Sequence, residues 1–312
     1  MILKSLFSAL VHRVRGRART LVISSILVPV FTVVGCGQLV EKEREMTFRV
    51  EPGIASWYKG LPQGLVAADL PVATKDGRTQ HIHTWWWPAR DKNAPAVLYL
   101  HGARWNLTGQ VFRLEQLRDF GFSVLAIDYR GFGKSDGDYP SEKTVYEDAR
   151  VAWQHLARLQ PDAGKRFIYG HSLGGAVAVD LAAHLGQSDK APAAGGLIVE
   201  SSFSSLADTA RSMTYPWLPV QLLMSQKFDS ADKIRHVDVP KLIVHGSSDN
   251  YVSSHLSEKL YAAASGPKKL LLVDGGTHSN SMRVGEDDYR NALQELFGQQ
   301  LAQGHGTASG AS

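Results

Sequence analysis

The chain reads as short apolar runs separated by stretches with helical spacing. Val66–Ala73 and His81–Trp87 are strand-like and are joined across Lys75-Asp76-Gly77, where Asp-Gly favours a tight hairpin turn. Ala96–Leu100, Ser123–Ile127, Arg166–Tyr169, Gly196–Val199, Leu242–Val244 and Leu270–Val273 are nearly continuous apolar runs. Such runs predict strands buried on both faces of a parallel sheet. Between them lie helix-like segments at Val111–Phe120, Val145–Leu159, Ala176–Leu185, His255–Ala264 and Asp287–Leu301. In the second, Val145, Ala149, Ala152, Trp153 and Leu156 share one helical face. Strands alternating with helices predict an α/β fold over 65–302: a mostly parallel eight-stranded sheet, led by an antiparallel hairpin and flanked by helices.

Two stretches depart from this rhythm. Residues 202–239, rich in Pro, Met and aromatics, form either a small cap over a pocket or a crossover helix with long loops. Residues 36–64 read as a tether and an irregular N-terminal segment, and 303–312, rich in Gly, Ser and Ala, as a disordered tail.

The N-terminus carries its own pattern. Lys4, Arg13, Arg15, Arg17 and Arg19 precede the uncharged run Leu21–Val34, which ends at Gly35-Cys36-Gly37. A basic start, an apolar middle and small residues at the end are the parts of a secretory signal covering 1–35. The run is short for a membrane span and holds Pro29. Val33-Val34-Gly35-Cys36 resembles a bacterial lipobox, which implies that Cys36 is lipidated and becomes the mature N-terminus. The chain is then a lipoprotein anchored to a membrane of the bacterial cell envelope, on its periplasmic or outer face. An uncleaved signal anchor, a plain secretory signal and a soluble cytoplasmic start are the alternatives.

Composition narrows the classes further. Hydrophobic residues at 44% and charged residues at 21% describe a globular chain, which excludes a disordered or collagen-like one. A single Cys excludes a disulfide framework and a thiolate metal cluster. The formal charge of +4 raises the question of nucleic acid, but the five cations of the first twenty residues exceed it, so no nucleic-acid partner is expected.

The chemistry concentrates in Gly170-His171-Ser172-Leu173-Gly174, placed after a strand and before a helix. A G-x-S-x-G turn in that setting lifts the serine hydroxyl to the sheet edge, and its glycines let backbone pass close to backbone. Three further motifs follow strands: His101-Gly102-Ala103 and Asp128-Tyr129-Arg130-Gly131-Phe132-Gly133-Lys134-Ser135, then His245-Gly246-Ser247-Ser248-Asp249. Gly275-Gly276-Thr277-His278 follows the last run. Together they resemble the α/β-hydrolase superfamily over nearly all of 66–300, in a small-capped subgroup of serine aminopeptidase-like and acyl-thioesterase-like hydrolases.

The resemblance implies Ser172 as nucleophile, His278 as base and Asp249 as the acid that orients it, in the family's chain order. It implies an oxyanion hole from the backbone N–H groups of Ala103 and Leu173, a covalent acyl-enzyme, and neither metal nor cofactor. Glu200, at the end of the sixth strand, is an alternative acid. The expected activity is hydrolysis of carboxylic esters or thioesters of a small or lipid-like acyl substrate. Amide cleavage by the same residues, and a non-catalytic envelope lipoprotein that uses the fold for binding, are the alternatives.

Other residues read more plainly. Asp128 and Asp274 suit loop-organising acceptors, and His101 and His171 suit structural roles beside the site. Arg104 is either a solvated surface residue or an attractor for an anionic acyl group. Gly133-Lys134-Ser135 ends like a phosphate loop but has Asp128 where the first glycine is needed. His81 and His83 lack further ligands at metal spacing. Trp85, Trp86 and Trp87 alternate faces of a strand and suit packing.

Overall fold

In the computed structural model of the protein, residues 37–188, 190–213 and 224–302 are described. The signal sequence 1–35, Cys36 and the tail 303–312 lie outside the described residues. So do residues 214–223 of the stretch read as a possible cap.

The strands are β1 (Val66–Ala73), β2 (Thr79–Trp87), β3 (Ala96–Leu100), β4 (Ser123–Ile127), β5 (Arg166–His171), β6 (Gly196–Glu200), β7 (Lys241–Gly246) and β8 (Lys268–Val273). They form one sheet in the order β1-β2-β4-β3-β5-β6-β7-β8. β1 pairs antiparallel with β2, and β2 antiparallel with β4, while the other neighbours are parallel. Gly77, at φ 81°, supplies the left-handed residue that the β1–β2 turn needs.

The helices of eight or more residues are α1 (37–48), α2 (Val111–Asp119), α3 (Glu142–Leu159), α4 (Leu173–Gly186), α5 (Leu206–Met213), α6 (Ser254–Ala263) and α7 (Glu286–Ala302). The period of two along each strand sorts the core into two layers. Leu98, Leu100, Leu125, Ile127, Ile168 and Ile243 pack with α3, α4 and α6 on one face. Val97, Tyr99, Val124, Phe167, Tyr169 and Leu242 pack with α2 and α7 on the other. The tryptophans divide as expected: Trp85 and Trp87 belong to the second layer, and Trp86 packs against the first.

Two expectations need correction. The segment 36–64 is not irregular throughout, because 37–48 is helical and Phe48 at its end is wholly buried. From there the backbone ties to the loop after β3, Arg104 N–H to Phe48 O at 2.9 Å and Glu51 N–H to Arg104 O at 2.8 Å. β8 is not buried on both faces; its residues are mostly half-buried and Leu272 is exposed, because it is the last strand of the sheet and has a neighbour on one side only.

Candidate active site

Ser172 stands between β5 and α4 with φ 55° and ψ −122°. A left-handed φ at a non-glycine residue costs on the order of 1–3 kcal/mol and persists only where its surroundings enforce it. Here the Ser172 N–H donates to Glu200 O at 2.9 Å, and Ser202 Oγ–H donates to Ser172 O at 2.8 Å. The turn also needs bare backbone beside it: a Cβ on Gly174 would sit 2.1 Å from Leu100 O. Since Ser172 is the N-cap of α4 without a side-chain cap bond, its hydroxyl is not engaged there. The first N–H groups of α4, Leu173 among them, have no partner within the helix.

The loop 101–104 follows β3. A Cβ on Gly102 would lie 3.0 Å from Ser172 Cβ and 3.2 Å from His171 O, so this loop and the Ser172 turn touch. The His101 Nδ1–H donates to Gly102 O at 2.7 Å. That carbonyl belongs to the same planar peptide as the Ala103 N–H, so fixing one fixes the direction of the other. The His101 ring is wholly buried between Tyr129 and Phe132, and burial lowers its pKa to about 4, so it is neutral. Arg104 is half-exposed, 3.5 Å from Glu51.

On the other side of the site, His278 Nδ1–H donates to Asp249 Oδ2 at 2.8 Å. A carboxylate only accepts, so the neutral His278 ring carries its hydrogen on Nδ1 and its lone pair on Nε2. Asp249 is fully buried as a side chain. Burial alone would raise its carboxyl pKa, but hydrogen bonds from His245, His278 and the Val252 N–H outweigh it and hold the group well below its ordinary range. His245 Nε2 lies 3.1 Å from the same Oδ2, and the N–H groups of Tyr251 and Val252 donate to Oδ1 at 2.8 and 3.0 Å.

The structure therefore brings Asp249 and His278 together, and sets Ser172 against the Gly102–Ala103 loop. Among the described residues no hydrogen bond joins Ser172 Oγ to His278. Glu200 is engaged elsewhere: Oε1 accepts from Arg113 Nη1 at 2.9 Å and Oε2 from Tyr169 at 2.6 Å. His171 lies beside His278, ring centroids 4.9 Å apart, and its pKa is held well below the usual value by burial and then by Arg113.

Asp128 organises its loop by accepting the Leu107 N–H at 2.8 Å. His81 and His83 pair with Asp136 at 3.0 Å and Asp69 at 2.6 Å; among the described residues no cluster of three or more His, Cys, Asp or Glu is placed to hold a metal. Arg113 and His245 were not singled out by sequence. His245 sits in a quoted motif, four residues before Asp249, whereas Arg113 is one cation in a helix with nothing local to mark it.

Such an arrangement, a strained serine at a helix N-terminus with a carboxylate-bound histidine nearby, is suited to acyl transfer. The family model described as serine aminopeptidase, S33, matches residues 91–231. An uncharacterised protein of Mycobacterium tuberculosis is 36% identical over 222 residues, covering 70% of this chain and 74% of that protein. The lysophosphatidylserine lipase of Rattus norvegicus is 32% identical over 73% of this chain, which spans 56% of that enzyme's length. Among solved structures, an esterase of Pyrococcus furiosus superposes with a TM-score of 0.60 at 20% identity, over 81% of this chain and 98% of that one. The chain belongs to the α/β-hydrolase superfamily, as a serine aminopeptidase-like hydrolase with esterase- and lipase-type relatives.

Proposed function

We propose that this chain is a serine hydrolase that cleaves carboxylic esters of lipid-like acyl groups through an acyl-enzyme. The strained conformation of Ser172, held at the start of α4, carries the reading. His278 Nε2 takes the proton as Ser172 Oγ bonds to the acyl carbon, and Asp249 stabilises the imidazolium that results. The oxyanion of the tetrahedral intermediate is met by the N–H groups of Ala103 and Leu173, each worth about 3 kcal/mol in such a site. Collapse breaks the bond to the alcohol, which leaves with the proton from His278. Water, deprotonated by His278, then attacks the acyl-serine, and release of the acid restores the Ser172 hydroxyl.

Lipid-like esters are favoured by the likeness to a lysophosphatidylserine lipase and by the apolar N-terminal run. Cys36 lipidation would place the enzyme on a bacterial envelope membrane, beside its substrate. Among the described residues no helix is long and apolar enough to cross a membrane.

The test is labelling by a fluorophosphonate of wild type and Ser172→Ala, followed by turnover of p-nitrophenyl esters of graded acyl length. Labelling confined to wild type, with turnover rising at longer chains, is expected. A folded wild type that does not label defeats the reading. The serine aminopeptidase description of the family model favours a second reading, amide cleavage; release from aminoacyl anilides with no ester turnover would establish it. Unchanged mass and membrane retention in Cys36→Ala would remove the lipid anchor.

A further inference from the structure

Beneath the site runs a buried chain of contacts that reaches from the Ser172 turn to the His278 loop. Glu200 contributes twice: its backbone O accepts the Ser172 N–H at 2.9 Å, and its Oε1 accepts Arg113 Nη1 at 2.9 Å. Arg113 and Glu200 are 1% and 0% exposed as side chains. The carboxylate is fixed from its other oxygen by Tyr169 at 2.6 Å and Tyr289 at 3.3 Å. The second terminal nitrogen of Arg113, Nη2, lies 3.3 Å from His278 O and 2.9 Å from His171 Nε2. His171 Nε2 is itself 2.7 Å from His278 O. A continuous path therefore runs from the main-chain N–H of the serine to the main-chain carbonyl of the histidine.

We propose that Arg113 is a positioning residue for the acyl-transfer site: braced by Glu200, it clamps the backbone of His278, directly and through His171, and so fixes where the base stands relative to Ser172. This inference rests on the serine-hydrolase reading. A guanidinium suits the task because it presents several donors in one rigid plane, one nitrogen for Glu200 and another for the His278 loop. An ammonium offers the same charge from one point. Burial together with the adjacent guanidinium disfavours a second cation at His171, so that ring stays neutral. In either tautomer a hydrogen lies within the clamp, on His171 Nε2 toward the carbonyl or on Arg113 toward Nε2. Loop 275–280, which carries His278, hangs off the edge strand β8, and the clamp binds it inward to β5 and β6.

The experiment compares wild type with Arg113→Lys and with the paired substitution Arg113→Met/Glu200→Gln, which removes both charges together. Each is checked for native folding by thermal melting and near-ultraviolet circular dichroism. The assays are fluorophosphonate labelling and ester turnover. A misplacement near 1 Å at a reacting group costs about a hundredfold in rate, so kcat and the labelling rate are expected to fall about 10- to 100-fold. KM should stay within about twofold, because ester binding is not what the clamp serves. A folded Arg113→Lys or paired variant that labels and turns over within about twofold of wild type overturns the proposal. So does a loss confined to KM. Failure of wild type to label would instead strike the serine-hydrolase reading itself, which keeps the two outcomes apart.

Discussion

His245 Nε2 lies 3.1 Å from Asp249 Oδ2, with both side chains wholly out of solvent. The same oxygen receives His278 from the site side at 2.8 Å. His245 Nδ1 is 2.6 Å from Ser257 Oγ, and Nε2 also faces Val252 O at 2.9 Å. Since Val252 O and the carboxylate only accept, Nε2 carries the hydrogen and Ser257 supplies one to Nδ1. Asp249 is thus held from behind by a residue that reaches no substrate.

Removing that support raises the Asp249 carboxyl toward its ordinary value. A depressed carboxylate gives its full stabilisation above its unfolded pKa and loses it only as pH falls through the folded one, and Asp249 is held well below its ordinary range, so His245→Gln should lose stability to a similar extent at pH 4 and pH 7. Its kcat should fall about tenfold, the loss of one hydrogen bond to a charged group. Thermal melts at pH 4 and pH 7, beside a kcat–pH profile, measure both; an unchanged melting temperature at the two pH values would contradict the account.

Asp249→Asn keeps the shape but denies His278 the acceptor that sets its hydrogen on Nδ1. By analogy with other hydrolases of this design, kcat should drop about 10⁴-fold with the fold intact. Glu200→Gln, whose carboxylate serves Arg113 rather than His278, should show a smaller kcat loss together with lower thermal stability. Reversal of that ranking in activity would move the acid to Glu200.

His101→Phe should separate aim from packing. Phenylalanine fits between Tyr129 and Phe132 but cannot hold Gly102 O, so the Ala103 N–H is left less firmly directed. We expect kcat lower by about 10- to 100-fold with an unchanged or higher melting temperature. An unchanged kcat would show that the loop needs no such tie.

Much of this architecture is legible in the sequence, and the parts that are not share a cause. The centres of the strands are apolar on both sides and stand out at once. Their ends do not, because β5 finishes on His171, β6 on Glu200, and β7 begins at the wholly buried Lys241. Buried polar residues resemble surface residues in a sequence unless their partners are known, and Arg113 finds Glu200 87 positions away. For α1 the reason is the opposite: it is largely exposed and carries surface pairs such as Lys42–Glu45, so its sequence shows little apolar face. Ser172, Asp249 and His278 were accessible because glycine-rich turns after strands mark them. The hydrogen bond between Asp249 and His278, across 29 positions, needed the fold.

Asp128 gives a stability test with a defined sign. Burial raises its pKa from 3.8 to about 7, against hydrogen bonds from the Leu107 and Lys134 N–H groups. Between those values the unfolded chain is ionised and the folded one is not, so wild-type stability falls as pH rises through that window and levels off above it. At about 1.4 kcal/mol per pH unit the full effect is on the order of 4 kcal/mol. Asp128→Asn does not titrate, so its stability relative to wild type should improve from pH 4 to pH 8. Parallel urea midpoints across that range would refute the assignment.

Two glycines should respond differently to Ala. At Gly174 the new Cβ meets the fixed carbonyl of Leu100 at 2.1 Å, and the variant should be destabilised by more than about 3 kcal/mol. At Gly102 the contacts of 3.0 and 3.2 Å involve the Ser172 turn, and the cost should appear mainly in kcat. Thermal melts beside ester turnover distinguish the two.

The Arg113–Glu200 pair also constrains how this chain can diverge. Loss of either partner alone strands a charge in the interior at about 3–5 kcal/mol, whereas joint replacement by well-packed neutral residues can be close to neutral. A lineage therefore reaches a chargeless interior here only by crossing a poorly folded intermediate or by changing both codons together. Positions 113 and 200 should be inherited as a unit.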